Sequence, residues 1–322
     1  IIIDGKEYKG DKYFLFSPDS QHFAYVAHEG NKKFVVLDGK EGKKYDGVNE
    51  FGYLVFSSDS QHFAYEAEEG NKKFVVLDGK EGKKYDGVGY LTFSPDSQHF
   101  AYEAEEGNKK FVVLDGKEGK KYDRVGLLIF SPDSQHSAYE ADEGNKGFVV
   151  LDRKEGKKYD WVDFLTFSSG SQHFAYVARE GKKALVALDG KEGKKYDWVD
   201  EFTLTFSPND QHLAYVTDES NKRCVVLDGK EGKKYDYDGV ANLTFSPNSQ
   251  HFAYAVYEGN KYFVVLDGKK GKKYDDTYSI VFTSDSQHFA YIAKEGSKEI
   301  MVLDGKEGKK YDQIWKPTFT SD

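Results

Sequence analysis

Copies of one four-stranded antiparallel unit, stacked into an all-β domain, are what this sequence predicts, and three observations carry the prediction. The interval from the Phe of each Ser-Pro-Asp-type turn to the Tyr of the next Lys-Lys-Tyr-Asp run is 29 residues in every complete copy: Phe16 to Tyr45, Phe56 to Tyr85, Phe93 to Tyr122, Phe130 to Tyr159, Phe167 to Tyr196, Phe206 to Tyr235, Phe245 to Tyr274 and Phe282 to Tyr311. All length variation falls in the complementary stretch, where the intervals from each Tyr to the next Phe, starting at Tyr8, are 8, 11, 8, 8, 8, 10, 10, 8 and 8. One segment of each copy, Phe-Val-Val-Leu in most, has no polar alternation, which marks a strand buried on both faces. A period of about 37 to 40 residues identifies a supersecondary unit that cannot bury its apolar surface alone and stacks against its copies.

The elements follow from one copy. Tyr90-Leu91-Thr92-Phe93 is strand A, and Ser94-Pro95-Asp96-Ser97-Gln98 is a turn. Strand B is His99 to Ala104, Glu106-Gly107-Asn108 is a tight turn, and Phe111 to Leu114 is strand C. A hairpin loop over Asp115-Gly116-Lys117-Glu118-Gly119 leads to strand D at Lys120-Lys121-Tyr122. Gly, Pro, Asn and Asp punctuate every junction, as short strands require. Sheets of this kind, buried on both faces by their neighbours, satisfy strand C when stacked radially as a β-propeller.

The string Phe93-Ser94-Pro95-Asp96-Ser97-Gln98-His99-Phe100-Ala101-Tyr102 resembles the signature of TolB-like, WD-related propeller repeats, and it recurs over nearly the whole chain. The resemblance implies that strand A is innermost and strand D outermost. It also implies a bacterial, extracytoplasmic (periplasmic or secreted) protein-interaction role. Ser97 and its counterparts stand where that family usually has Gly, so a positive φ there is expected to be less comfortable.

The expectation is a single propeller domain over 1–322. Strands A, C and D each count nine, with Ile1-Ile2-Ile3 as a C strand, Tyr8 as a D strand and Thr318-Phe319 as an A strand, whereas strand B counts eight. A ninth blade split between the termini is therefore favoured over eight, with its missing strand attributed to truncation after Asp322.

Composition narrows the function classes. Lys+Arg of 46 against Asp+Glu of 55 gives a net charge of −9, which argues against nucleic acid as partner. No apolar run approaches the ~20 residues that span a bilayer, so no membrane insertion is expected. Cys224 is the only cysteine and replaces an apolar strand residue, so neither a disulfide framework nor a cysteine zinc site is available. Gly-Lys-Glu-Gly-Lys-Lys lacks the order of a P-loop and joins two strands. His22, His62, His99, His136, His173, His212, His251 and His288 occupy equivalent places one blade apart, too dispersed to share a metal, and are assigned to turn packing. Asp, Ser and His fall together in the same string, but eightfold repetition gives no unique catalytic address. No cofactor, metal or catalytic residue is expected, the chain is read as a non-enzyme, and a monomer is expected.

Divergence between copies points to one face. The A–B and C–D turns, at one end of the sheets, barely change. The D–A connections at the other end hold all insertions and most substitutions, and the residue before the B–C Glu varies as well. Loops on a rigid scaffold are the usual seat of binding. The candidate ligand-binding residues are Trp161, Trp198, Tyr237, Tyr278, Trp315, Phe51, Tyr53, Arg124, Asp163, Asp200 and Glu201. Aromatic residues bury much area for little lost rotamer entropy, and the carboxylates complement a basic partner. The competing account is that these aromatics wedge between blades. A ring of Glu29, Glu69, Glu106, Glu143, Glu180, Glu219, Glu258 and Glu295 is expected on this face, opposite a rim built from Lys40, Lys43, Lys44 and their counterparts. The reading is a non-catalytic scaffold for a protein, peptide or glycan. The alternatives are a recently amplified or engineered repeat without a settled ligand, and an enzyme with its site at the channel mouth.

Overall fold

The computed structural model describes residues 2–3, 6–7, 14–49, 54–236, 239–315 and 319. Every regular element among them is a strand, and the fold is an all-β, multi-bladed propeller of four-stranded antiparallel sheets. The chain divides into two compact units, Ile1–Trp161 and Val162–Asp322. The first holds sheet 1 (14–41), sheet 2 (47–81), sheet 3 (87–118) and sheet 4 (124–155). The second holds sheet 5 (to 192, its strand A opening at Trp161), sheet 6 (198–231), sheet 7 (240–270) and sheet 8 (276–311). The hairpin Ile2–Ile3 with Lys6–Glu7 is the part of the expected ninth blade that lies among the described residues. Tyr8 and Thr318 fall outside them, and Phe319 is in no strand.

Sheet 3 shows the register: Phe93 pairs with Phe100, Tyr102 with Val113, and Val113 with Glu118. Strand D differs from the sequence expectation. The loop is only Asp115-Gly116, both at positive φ (51° and 71°), so Lys117–Glu118 already pairs back onto strand C. Two successive left-handed residues match the twist of a two-residue hairpin, which is why Asp-Gly recurs there. Gly119 then bulges with its N–H on the Val112 carbonyl, and Tyr122 rejoins the ladder opposite Lys110.

The A–B turn takes positive φ at the non-glycine position, 63° at Ser97, and the same holds at Ser20, Ser60, Ser134, Ser171, Asp210, Ser249 and Ser286. The strain has a compensation a glycine lacks. The Ser97 hydroxyl accepts the Asp59 N–H of sheet 2 at 3.0 Å, and Ser134 accepts that of Asp96 at 3.0 Å. In these copies the turn thereby fastens the preceding sheet.

The core lies between sheets. Strands B and C are buried along most of their length, and the Tyr of each Lys-Lys-Tyr-Asp run from Tyr45 to Tyr274 is buried as a wedge, whereas Tyr311 is 52% exposed. Tyr45 of sheet 1 is buried with its ring 5.5 Å from Phe74 of sheet 2, edge to face, and its hydroxyl donates to Glu81 at 3.1 Å. The following Asp46 accepts both Lys32 of its own sheet and the Gly70 N–H of sheet 2, at 2.7 Å each. These contacts fix the constant 29-residue spacing, because Tyr and Asp must reach the next sheet at set positions.

Candidate functional site

The repeated histidines bridge the two turns at the constant end of each sheet. His22, His62, His99 and His136 in the first unit and His173, His212, His251 and His288 in the second place Nδ1 at 2.7–2.8 Å from Asp38, Asp78, Asp115, Asp152, Asp189, Asp228, Asp267 and Asp304. Asp38 raises the His22 imidazole above its ordinary range through that bond, and Asp304 does the same for His288. Several rings also stack on the Phe closing the next strand A, such as His62 on Phe93 at 6.2 Å. This is the turn-packing role read from the sequence. Among the described residues no group of three or more His, Cys, Asp or Glu could hold a metal ion.

The glutamates and lysines do not form opposed rims. Lys44, Lys84 and Lys121 pair with Glu29, Glu69 and Glu106, while Lys43 and Lys83 reach Glu81 and Glu118 of the next sheet at 2.6 Å each. The reason is the direction of strand D: running antiparallel to strand C, it returns its lysines to the B–C end where the glutamates stand.

The candidate residues of the variable end separate into bound and free groups. In the first unit, Arg124 is engaged by its own sheet, with Nε 2.5 Å from Asp142 and Nη1 3.6 Å from Glu140. Trp161 is half-buried where strand A of sheet 5 begins. Phe51, Tyr53 and Tyr237 lie outside the described residues. In the second unit, Tyr278 is half-buried and hydrogen-bonds Glu299, and burial followed by that bond pushes its hydroxyl up to about 12. Trp315 is 81% exposed and belongs to no strand.

The remaining candidates converge on sheets 5 and 6 of the second unit. The Arg179 guanidinium lies 3.8 Å from the Trp198 ring centroid, a cation–π stack at the rim. Strand A of sheet 6 shifts register between Asp200 and Thr205, and this bulge lifts Phe202 to 82% exposure. Phe202 is supported edge to face by Phe164 at 4.8 Å. Phe164 sits at φ 54°, a left-handed backbone that bulky residues rarely adopt. Beneath them, Asp218 is buried and accepts Arg223 Nε at 2.9 Å, with Asp200 3.8 Å from Arg223 Nη1. Burial raises the Asp218 carboxyl against the pull of Arg223. The Oε2 of Glu201 is shielded from solvent without a hydrogen-bond partner among the described residues. Asp163 accepts the Phe164 N–H at 2.8 Å.

Phe164 and Phe202 were not candidates in the sequence reading, although a signal existed. The third residue before the Phe that ends strand A is Tyr90, Leu127, Phe164, Asn242 and Ser279 in sheets 3, 4, 5, 7 and 8, a position of free variation beside constant neighbours. Tyr90 and Asn242 share the left-handed backbone of Phe164, at φ 51° and 56°.

Clefts open at the constant end among the described residues, between neighbouring sheets of one unit. They measure about 720 Å³ between sheets 1 and 2, 250 Å³ between 3 and 4, 560 Å³ between 5 and 6, and 450 Å³ between 6 and 7. In the three larger ones a floor of Val, Leu, Phe and Tyr lies under a rim of His, Asp, Lys and Gln.

No family model and no curated protein matches the chain. Solved structures similar to it include a eukaryotic initiation factor, at 12% identity and TM-score 0.48 over 94% of this chain and 88% of that one. The β-propeller domain of the Trilobed protease from Pyrococcus furiosus is similar at 11% identity and TM-score 0.36, over 83% and 98% of the two chains. TolB from Acinetobacter baumannii is similar at 13% identity and TM-score 0.31, over 92% and 82%. The fold class rests on the sheets themselves, and no activity passes from these proteins to this chain.

Proposed function

We propose that the protein is a non-catalytic binding scaffold of TolB-like repeats in an extracytoplasmic setting. It holds a protein or peptide segment at the variable end of sheets 5 and 6. The observation that carries this reading is Phe202, lifted into solvent on a register-shifted strand and braced by a strained Phe164. An exposed aromatic kept on a rigid sheet loses little entropy on binding, and backbone strain gathers where function requires it. The four carboxylates Asp163, Asp200, Asp218 and Glu201 outnumber the two guanidiniums of Arg179 and Arg223, so the segment pairs an apolar residue with a basic one.

The test is selection from a random peptide library on the full chain. Peptides of that composition are expected, losing about tenfold or more in affinity with Phe202→Ala or Trp198→Ala and keeping it with Lys40→Ala at the constant end. Enriched peptides indifferent to Phe202 and Trp198 would sink the reading.

A further inference from the structure

The cleft between sheets 3 and 4, within the first unit, departs from its counterparts at two positions of sheet 4 that both line it. Where other copies have Phe or Leu at the start of strand B, sheet 4 has Ser137, and where they have Gly in the C–D turn it has Arg153. Both residues line the same 250 Å³ cleft, together with Leu114, Phe130, His99 and His136. In a chain whose A–B and C–D turns otherwise change little in sequence, two changes meeting at one surface are a local departure rather than scattered drift.

Neither change is accounted for by folding. Arg153 sits at φ 63°, where the other seven copies place Gly at 71° to 76°, and a side chain in that backbone is strained. Among the described residues Arg153 forms no ion pair. The neighbouring carboxylates are already engaged, Asp115 with His99 at 2.8 Å and Asp152 with His136 at 2.7 Å. The Ser137 N–H is satisfied by Asp152 at 3.0 Å, so its hydroxyl adds a donor without disturbing the turn. Burial pushes the hydroxyl of buried Tyr139 up, against the opposing pull of Tyr122 and Arg153. The result is an uncommitted guanidinium and a hydroxyl beside an apolar wall of Leu114 and Phe130.

We propose that this cleft is a binding site for a carboxylate carried on an apolar group. The guanidinium fork and the Ser137 hydroxyl take the carboxylate, and Phe130 and Leu114 take the apolar part. The volume suits one such group, and the shared chemistry is that of a small aryl or alkyl acid or of the free C-terminus of a peptide ending in an apolar residue.

The experiment is a titration of the full chain followed by the backbone amide signals of residues 134–137 and 152–154. Phenylacetate is expected to shift them saturably in the millimolar range, and phenylacetamide, which lacks the charge, is expected not to. Arg153→Gly, which restores the residue of the other seven copies and so keeps the turn, should weaken binding by about tenfold or more, and Ser137→Ala, which removes only the hydroxyl, should weaken it as well. N-acetyl-Gly-Gly-Phe with a free carboxylate separates the sources. Affinity above that of phenylacetate assigns the site to a chain terminus, and equal affinity assigns it to small acids. Equal shifts with phenylacetamide, unchanged binding in Arg153→Gly, or no shift with either acid would overturn the assignment.

Discussion

Single residues show how neighbouring copies have adjusted to each other. In sheet 5 the A–B turn has Gly170 where most copies have Asp, and in sheet 6 Asp210 stands where the others have Ser. Asp210 is buried and reaches back, accepting the Gly170 N–H at 3.0 Å and the Ser169 hydroxyl at 3.1 Å, so one carboxylate serves the turn from the neighbouring sheet. A Cβ on Gly170 would approach Asp210 Oδ2 to 2.4 Å. Gly170→Asp is therefore expected to destabilise by about 2–4 kcal/mol through a clash and a buried like charge, and Gly170→Asp combined with Asp210→Ser to recover most of it. Urea denaturation of the single and double variants measures the coupling, and additive losses would contradict the swap. Arg153→Gly is expected to raise stability by about 0.5–1 kcal/mol by relieving the left-handed arginine. A loss instead would mean that Arg153 fills the space left by Ser137.

At the scale of the element, the wedge Tyr and strand C decide cohesion between sheets. Phe111 is fully buried under the Tyr85 ring at 5.6 Å, and truncation to Ala is expected to cost about 3–5 kcal/mol. Tyr122→Phe keeps the ring but removes the hydroxyl that bonds Glu155 at 3.0 Å, and is expected to cost about 1 kcal/mol. The larger loss at Phe111, read from urea midpoints, would confirm that ring packing outweighs the polar link. The lysines along strand D are exposed and ion-paired. Their contribution is small and screened by salt, and their service is to an outer edge that would otherwise present unpaired backbone.

The whole molecule carries repeated carboxylates whose protonation is tied to folding. Asp19, Asp59 and Asp96 are held low by hydrogen bonds from Ser17, Ser57 and Ser94, and Glu81, Glu118 and Glu155 by Lys43, Lys83 and Lys120. Glu258 is drawn down to about 2 by Lys270 and Lys273. Each folded pKa lies below its unfolded value, so the stabilisation is complete above the unfolded carboxylate range and is lost as pH falls through the folded values. His22 and His288 act in the opposite sense: their pKa values are raised, so their contribution is full below the unfolded histidine value and fades as pH rises through the folded one. The melting temperature should be highest near pH 5–6, fall steeply below about pH 4 and slip slightly above about pH 7. A melting temperature that rises between pH 5 and pH 3 would refute this.

How much of this was legible beforehand depends on whether a residue answers to its own repeat or to a neighbour. The sequence by itself determined the strand order, the buried strand C, the place of the A–B and B–C turns and the structural role of the histidines, because local propensity and a fixed period act along the chain. It also indicated which end of each sheet had diverged. Only the tertiary structure decided that Tyr278 and Arg124 are occupied by Glu299 and by Asp142 and Glu140, while Phe202 stands free on Phe164. Only the structure, too, brought Ser137 and Arg153 to one cleft and returned the strand D lysines to the glutamates. The physical reason is that exposure, pairing and strain depend on register between strands distant in sequence. A bulge such as that between Asp200 and Thr205 changes which side chain faces solvent while leaving the composition of the strand unaltered.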